Sequence, residues 1–130
     1  MELPTDVQAL LRAHVESYEA LHILLLLFQE RRDWSTDEIG ARLKLPVPAV
    51  GNALTSLARH ALAARVEASA PDTHYCYRIS LQDASVAALV RVFREHPSAV
   101  LRLMAIASIE RIRANAPRAF VYFFPLCKAR

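Results

Sequence analysis

Two short helices separated by a very short break are encoded within residues 34–62, and this pair constrains the fold more than any other feature of the chain. Ser35 and Glu38 have the S-x-x-E spacing of a capping box, in which each side chain accepts a hydrogen bond from the other residue's backbone N–H. The helix that starts there ends after about two turns, because the residue before Pro46 is pushed out of the helical region. The next helix must therefore begin almost at once.

The second helix of the pair is amphipathic. Its apolar residues recur at positions i, i+4 and i+7, a spacing that predicts one buried helical face. These residues are Val50, Leu54 and Leu57, with Ala53 and Ala61 beside them. The opposite face carries small and polar residues, namely Ala49, Gly51, Asn52, Thr55, Ser56 and Arg59. Pro48 is compatible with this helix because it falls in the first turn, where an N–H would have no partner.

A β-hairpin is predicted after the second helix. The segments ARVEAS and HYCYRIS flank APDT, in which proline followed by aspartate is typical of a turn. In the second segment Tyr75, Tyr77 and Ile79 alternate with more polar neighbours, so we expect one face to pack and the other to face water. The sequence therefore predicts a two-stranded hairpin.

The rest of the chain is predicted to be helical. The run LHILLLLF at residues 21–28 is apolar on all sides, which indicates a helix in the middle of the fold. This run is well short of the ~20 residues that a membrane-spanning helix needs. Thr5 is predicted to cap the first helix. The helices are expected at residues 5–14, 18–32, 83–94 and 97–115, followed by the apolar piece RAFVYFF between Pro117 and Pro125.

Composition and charge narrow the class of protein. With 130 residues, 54% of them hydrophobic, and two glycines, the chain is expected to form one mainly helical unit. The formal net charge of +3 permits contact with nucleic acid without requiring it. Cys76 and Cys127 lack a C-x-x-C spacing, and the N-terminus lacks the pattern of a signal peptide. We therefore expect a reduced, cytoplasmic protein that is not associated with a membrane.

Residues 18–80, about half of the chain, resemble the winged helix-turn-helix domains of bacterial transcription regulators of the multiple-antibiotic-resistance and arsenic-sensor repressor types. The resemblance rests on TDEIGARLKLPVPAVGNALTSLARHAL, in which a capped helix and an apolar turn residue precede the pattern V-x-x-A-L-x-x-L. It implies a mainly α fold with a small β-hairpin. Residues 1–80 would form the winged helix-turn-helix domain, and residues 81–130 would be a C-terminal helical extension packed with it as one unit.

The resemblance also implies a function, that of a DNA-binding transcription regulator. Its second helix would lie in the major groove of double-stranded DNA, with Asn52, Thr55 and Ser56 facing base edges. The residues that would contact the phosphate backbone are Lys44, Arg59, Arg65, His74 and Arg78.

The recognition helix is nevertheless poor in residues that usually read DNA. Bidentate side chains supply about 1–3 kcal/mol of discrimination per base contact, and this helix offers Asn52 and Arg59. Ala61 stands where the family prefers a glycine, and Asp72 puts a negative charge in the turn of the hairpin. The alternative interpretation is a winged-helix module that binds a partner protein and whose polar edge is simply solvated.

The C-terminal helices carry apolar residues around their circumference, interspersed with small ones that would let a second helix approach closely. We expect a homodimer through this region, with an interface formed by Leu101, Met104, Ala105, Ser108 and Ile112. The alternative is that these residues pack within the same chain. A protein partner at the C-terminal helices is a further alternative. The C-terminal segment also carries four aromatic residues, which would form either an exposed patch for a partner protein or a segment that fills the core. They are Phe120, Tyr122, Phe123 and Phe124.

No catalytic residue, metal site or cofactor is predicted. His74 and Cys76 have donor atoms suited to zinc, but zinc needs four ligands and no second pair lies at a fitting spacing. Gly40 and Gly51 both lie in predicted helices, so the sequence has no glycine-rich phosphate-binding loop. The sequence therefore indicates a protein that is not an enzyme.

Overall fold

The computed structural model describes residues 3–66 and 73–123, with side chains described as far as residue 113. Six helices and three short strands follow one another along the described residues, which confirms the predicted fold class. They are α1 (Thr5–Ala13), α2 (Tyr18–Gln29), β1 (Trp34–Ser35), α3 (Thr36–Leu43), α4 (Val47–Arg59), β2 (Ala63–Val66), β3 (His74–Tyr77), α5 (Asp83–Glu95) and α6 (Pro97–Phe123).

Helix α2 lies at the centre of the core, and α3, α4, α5 and β3 pack around it. Ser17 caps this helix by accepting a hydrogen bond of 3.1 Å from the backbone N–H of Ala20. The helix ends at Gln29, before the predicted end at Arg32, because the residues that follow lead the chain into β1. Its buried residues surround it on all sides, as predicted, and are Ala20, Leu21, Ile23, Leu24, Leu25, Leu26 and Leu27.

The predicted two-stranded hairpin is part of a three-stranded antiparallel sheet. β3 lies in the middle, between β2 and β1. Arg65 of β2 pairs with Tyr75, and β1 places Trp34 opposite Tyr75 on the other side. The predicted hairpin is confirmed as β2 and β3, whereas β1 was not predicted, because this strand has only two residues and one of them, Ser35, also caps the next helix.

The capping box that starts α3 is present. Ser35 Oγ accepts a hydrogen bond of 3.1 Å from the N–H of Glu38, and Glu38 Oε1 accepts one of 2.9 Å from the N–H of Ser35. The helix ends at Leu43, and the next residue, Lys44, has a left-handed backbone at φ 58°. The chain then turns back so closely that a Cβ atom on Gly40 would lie 3.0 Å from the carbonyl oxygen of Leu45. Gly40 thus permits the tight turn into α4, a role that the sequence analysis did not assign.

Helix α4 buries the face that its spacing predicts. Val50, Leu54 and Leu57 are fully buried, and the helix packs on α2 and α3. Ala61, just after the helix, has φ 61°, the left-handed conformation for which glycine is usual at a helix end. The N–H of Leu62 donates a hydrogen bond of 2.9 Å to the carbonyl of Leu57. The helix is therefore followed by a left-handed residue, the usual place of a glycine, that is an alanine in this protein.

The helices at the two ends of the chain differ from their predicted bounds. Thr5 does not cap α1 as predicted, because the cap position is Pro4, whose carbonyl accepts a hydrogen bond of 3.0 Å from the N–H of Gln8. Helix α6 does not end at Asn115 but continues to Phe123, past Pro117, although proline removes one backbone hydrogen bond. α1, α5 and α6 pack against one another, and α5 also contacts α2.

The side chains of the predicted aromatic segment, from Phe120 onwards, lie outside the described residues.

A hydrogen bond of 2.5 Å from the hydroxyl of Tyr77 to Asp83 connects the sheet to the first turn of α5. Asp83 also accepts a hydrogen bond of 3.0 Å from the N–H of Ser80. These bonds fix the position at which the chain passes from the sheet to α5 and then to α6.

Candidate nucleic-acid interface

The polar edge of α4, formed by Asn52, Thr55, Ser56 and Arg59, lies at the surface. Asn52, Thr55 and Arg59 are exposed, and Ser56 is half-buried. Thr55 turns its hydroxyl back to the helix and donates a hydrogen bond of 2.9 Å to the carbonyl of Gly51. Because the opposite face of α4 is buried, this edge is held in a fixed orientation.

Glu16, in the loop between α1 and α2, binds two residues of the polar edge. One oxygen, Oε2, accepts a hydrogen bond of 2.5 Å from the hydroxyl of Ser56 and one of 2.6 Å from the guanidinium of Arg59. His60 Nε2 lies 3.7 Å from the same oxygen. The hydrogen bond from Ser56, and then that from Arg59, lowers the pKa of the Glu16 carboxyl below its ordinary value.

A groove of about 380 Å³ lies between the polar edge of α4 and the start of α2. Its acidic wall carries Glu16 and Glu19, and the α4 wall carries Asn52, Ser56 and Arg59. The sequence analysis did not find this arrangement, because the glutamates belong to no motif and precede α4 by about thirty positions in the chain. Helix α4 therefore faces a carboxylate of its own chain.

The predicted phosphate contacts are spread over the turn and the sheet. Lys44 is exposed in the turn before α4, and Arg78 is exposed directly after β3. Arg65 is exposed and lies opposite Tyr75 in the β2–β3 pair, so these two side chains share one face of the sheet. His74 is half-buried and lies on the other face, since the side chains of neighbouring residues in a strand alternate between the two faces. Within residues 3–66 and 73–113, Lys44, Arg65 and Arg78 form no ion pair.

The other arginines around β1 are held by neighbouring side chains. Arg42 forms an ion pair with Glu30. Arg32 lies 3.6 Å from the centre of the Trp34 ring and bonds Glu38 at 3.4 Å. These arginines pack against the sheet and the start of α3 and form ion pairs, which Lys44, Arg65 and Arg78 do not within the part of the chain that the structure describes.

Two histidines and an arginine surround the loop that carries Glu16. His14 Nδ1 lies 3.3 Å from His60 Nδ1 at the end of α4. Burial, and the neighbouring His60, lower the pKa of His14 below its ordinary value. Arg111 of α6 donates hydrogen bonds of 3.3 Å to the carbonyl of Glu16 and 3.4 Å to the carbonyl of Val15. The loop is thus held by α4 on one side and by α6 on the other.

The residues of the predicted dimer interface have different environments on α6. Met104 is buried in the core of the same chain, and Leu101 is half-buried against it. Ala105, Ser108 and Ile112 are exposed. The exposed part of this helix also carries Ile106 and Ile109, which the sequence analysis did not include.

A larger cavity of about 510 Å³ lies where the start of α1 meets the corner between α5 and α6. Its lining includes Leu3, Gln8, His96, Arg102 and Ile106.

Among the described residues, no three His, Cys, Asp or Glu side chains are grouped so that they could hold a metal ion. No helix within residues 3–66 and 73–123 is both long and apolar enough to cross a membrane.

Comparison with known proteins gives structural similarity and no sequence match. No protein-family model and no curated protein matches the sequence. Reduced HlyU from Vibrio cholerae is similar over 68% of this chain and 88% of its own, with 21% identity and a TM-score of 0.53. The adhesin competence repressor AdcR from Streptococcus pyogenes is similar over 89% of this chain and 86% of its own, with 18% identity and a TM-score of 0.54.

A third similar structure is a point mutant of MepR from a multidrug-resistant clinical isolate of Staphylococcus aureus. It is similar over 92% of this chain and 86% of its own, with 20% identity and a TM-score of 0.54. MepR is described as a transcription regulator of the multidrug efflux pump MepA. These neighbours are winged-helix regulators of the multiple-antibiotic-resistance type, and at such identities the similarity concerns the fold. The chain therefore has the winged helix-turn-helix fold that the resemblance implied.

Proposed function

We propose that this protein is a transcription regulator that binds double-stranded DNA with α4 in the major groove. The observation that carries the proposal is the exposed polar edge of α4, held in place by the fully buried Val50, Leu54 and Leu57. Helices presented in this way insert their outer face into the major groove of DNA. The regulators with similar folds support the same function.

In this proposal the polar edge of α4 contacts base edges, and cations of the winged-helix region contact phosphates. The amide of Asn52 is suited to bidentate recognition of adenine, and Thr55 and Ser56 are suited to single hydrogen bonds or to contact with a thymine methyl group. The exposed cations outside the groove neutralise phosphates and fix the orientation of the protein on the duplex. These are Lys44 in the turn before α4, and Arg65 and Arg78 at the sheet. The half-buried His74, and Arg59 in the wall of the groove, are further contacts.

The proposal is tested by the salt dependence of binding to a duplex. About four phosphate contacts predict that the affinity for a labelled duplex of random sequence falls roughly a hundredfold between 50 and 200 mM salt. Fluorescence anisotropy at both salt concentrations measures this change. Absence of binding at 50 mM salt, with the protein folded, would contradict the proposal.

A second candidate function is a winged-helix module that binds a partner protein. It is favoured by one observation, the occupation of Ser56 and Arg59 by a carboxylate of the same chain. A module of this kind binds no duplex at low salt, so the same experiment separates the two functions. A partner at the C-terminal helices belongs to this second candidate.

We also propose that two copies associate through α6, so that two recognition helices face successive grooves of DNA. Ile106, Ile109 and Ile112 are exposed by 43%, 49% and 67% on this helix, beside the small residues Ala105 and Ser108. Residues 1–80 then act as the winged-helix domain and residues 81–130 as the extension that dimerises.

The oligomeric state is tested by light scattering after size-exclusion chromatography. Ile109→Glu should convert a dimer to a monomer, because the charge would be buried at the interface. The matched control is Ile79→Glu, since Ile79 is 71% exposed at the end of the sheet, and it should remain dimeric. A monomeric wild-type protein at a loading concentration of about 50 μM would contradict the proposal, since a regulator that binds DNA as a stable dimer associates well below that concentration.

A further inference from the structure

We propose that Glu16 is a specificity-determining residue that competes with DNA phosphates for Arg59, and with DNA for the hydroxyl of Ser56, and thereby weakens non-specific binding. The proposal rests on the proposed function, since it concerns how the polar edge of α4 meets DNA. It assigns a role to a residue outside the winged helix-turn-helix motif.

The geometry of the contact resembles that of a bound phosphate. A single oxygen, Glu16 Oε2, accepts hydrogen bonds from the hydroxyl of Ser56 at 2.5 Å and from the guanidinium of Arg59 at 2.6 Å. Hydroxyl and guanidinium groups are also the donors that proteins use for the oxygens of the DNA backbone. An anionic oxygen of the protein therefore occupies the donors that an anionic oxygen of DNA would need.

The carboxylate remains charged under the conditions in which DNA would bind. The hydrogen bonds from Ser56 and Arg59 lower the pKa of Glu16. The side chains of Arg59 and Glu16 are 63% and 40% exposed, so solvent and DNA can reach both partners of the pair. An exposed pair of this kind is weak enough for a well-placed phosphate to replace it.

The loop that carries Glu16 is also held by contacts with elements other than α4. Val15 is fully buried, and Ser17 caps α2 through its bond to Ala20. Arg111 of α6 donates hydrogen bonds to the carbonyls of Val15 and Glu16. The competing carboxylate is therefore held beside α4 by neighbouring elements as well as by its own bonds to Ser56 and Arg59.

The consequence for recognition follows from charge. With Glu16 in place, the one cation of the polar edge is neutralised, and an approaching phosphate meets a negative charge. Asn52 lies outside this contact and keeps its side chain for base edges, since its amide group forms no side-chain hydrogen bond within the described residues. Non-specific binding, which depends on phosphates, is weakened more than sequence-specific binding.

The test compares Glu16→Gln with Glu19→Gln, a matched loss of one charge from a residue that lines the same groove without bonding α4. Affinity for a random-sequence duplex at 50 mM salt should rise roughly three- to tenfold in Glu16→Gln and less than about twofold in Glu19→Gln. The slope of log affinity against log salt should become more negative by about 0.9 only in Glu16→Gln, as expected for one additional phosphate contact. Glu16→Ala should change affinity in the same direction, and thermal unfolding checks that each variant is folded.

A second comparison isolates the contact with Arg59. In an Arg59→Gln background, Glu16→Gln should no longer steepen the salt dependence. Equal effects of Glu16→Gln and Glu19→Gln, or the same steepening with and without Arg59, would overturn the role of Glu16 while leaving the proposed function intact. If neither the wild-type protein nor any folded variant binds the duplex, the proposed function itself fails.

Discussion

The guanidinium of Arg59 lies 2.6 Å from Glu16 Oε2, although the two residues are separated by 43 positions in the chain. The side chains of Arg59 and Glu16 are 63% and 40% exposed, and exposed ion pairs contribute about 0–1 kcal/mol to stability. Arg59→Ala should therefore lower the free energy of unfolding by less than about 1 kcal/mol, as measured by urea denaturation.

The same relationship predicts the effect of this variant on DNA binding. Because Arg59 is already partnered, Arg59→Ala should reduce the affinity for a duplex less than Lys44→Ala does, when both are measured at low salt. A larger loss in Arg59→Ala would show that the arginine leaves Glu16 and binds DNA without a penalty.

The two glycines predict opposite effects of the same substitution. A Cβ atom on Gly51 would meet nothing within 4 Å, so Gly51→Ala should stabilise the protein by about 1 kcal/mol through helix propensity. Gly40→Ala should destabilise it by about 1–2 kcal/mol, because the new methyl group would press on the Leu45 carbonyl oxygen. Urea denaturation measures both, and similar effects at the two positions would contradict the tight turn between α3 and α4.

The left-handed backbone at Ala61 predicts that a glycine at this position stabilises the protein. Its φ of 61° is unfavourable for a residue with a Cβ atom, whereas glycine adopts it freely. Ala61→Gly should raise the free energy of unfolding by about 1 kcal/mol. The control is Ala9→Gly in the interior of α1, which should lower it by about 1 kcal/mol. A loss of stability in Ala61→Gly would contradict the left-handed conformation.

Two histidines predict how stability changes with pH. Burial is the main cause that lowers the pKa of both His14 and His22, so the folded protein favours their neutral forms. The unfolded chain takes up these protons first, near the ordinary pKa of about 6.5, and stability should fall as the pH drops below that value.

The carboxyl groups act in a different pH range, which allows the histidines to be measured separately. The pKa values of Glu16, Glu38 and Asp83 are lowered, so their contribution to stability is lost below about pH 4.5, the ordinary range of carboxyl groups. Urea denaturation at about pH 7.5 and about pH 5.5, on either side of the ordinary histidine pKa, should show a loss that shrinks in the double variant His14→Gln/His22→Gln. An equal loss in this variant would contradict the assignment.

The sequence was sufficient where structure depends on local spacing. The Ser35–Glu38 capping box and the buried face of α4 follow from patterns within one helix, and both are observed. The glycine position occupied by Ala61 was also identified from the pattern, and its left-handed backbone explains why the family prefers glycine there.

The rest could not be predicted, because it depends on contacts between distant parts of the chain. Glu16 precedes Ser56 by 40 residues and belongs to no motif, so its contact with the polar edge appears only once α1, α2 and α4 are packed. The β1 strand has two residues and no alternating pattern of its own. The burial of Met104 depends on which side of α6 faces the core, and the apolar residues all around that helix left both sides open.

The central claim is that the exposed cations around α4 and the sheet contact DNA phosphates, and the salt dependence of paired variants tests it most directly. In Lys44→Ala/Arg78→Ala, the slope of log affinity against log salt should become less steep by about 1.8, because two phosphate contacts are lost. The control is Arg91→Ala/Arg94→Ala, which removes two exposed cations from α5, and its slope should match that of the wild-type protein. Equal slopes for the two double variants would contradict the placement of DNA on this face.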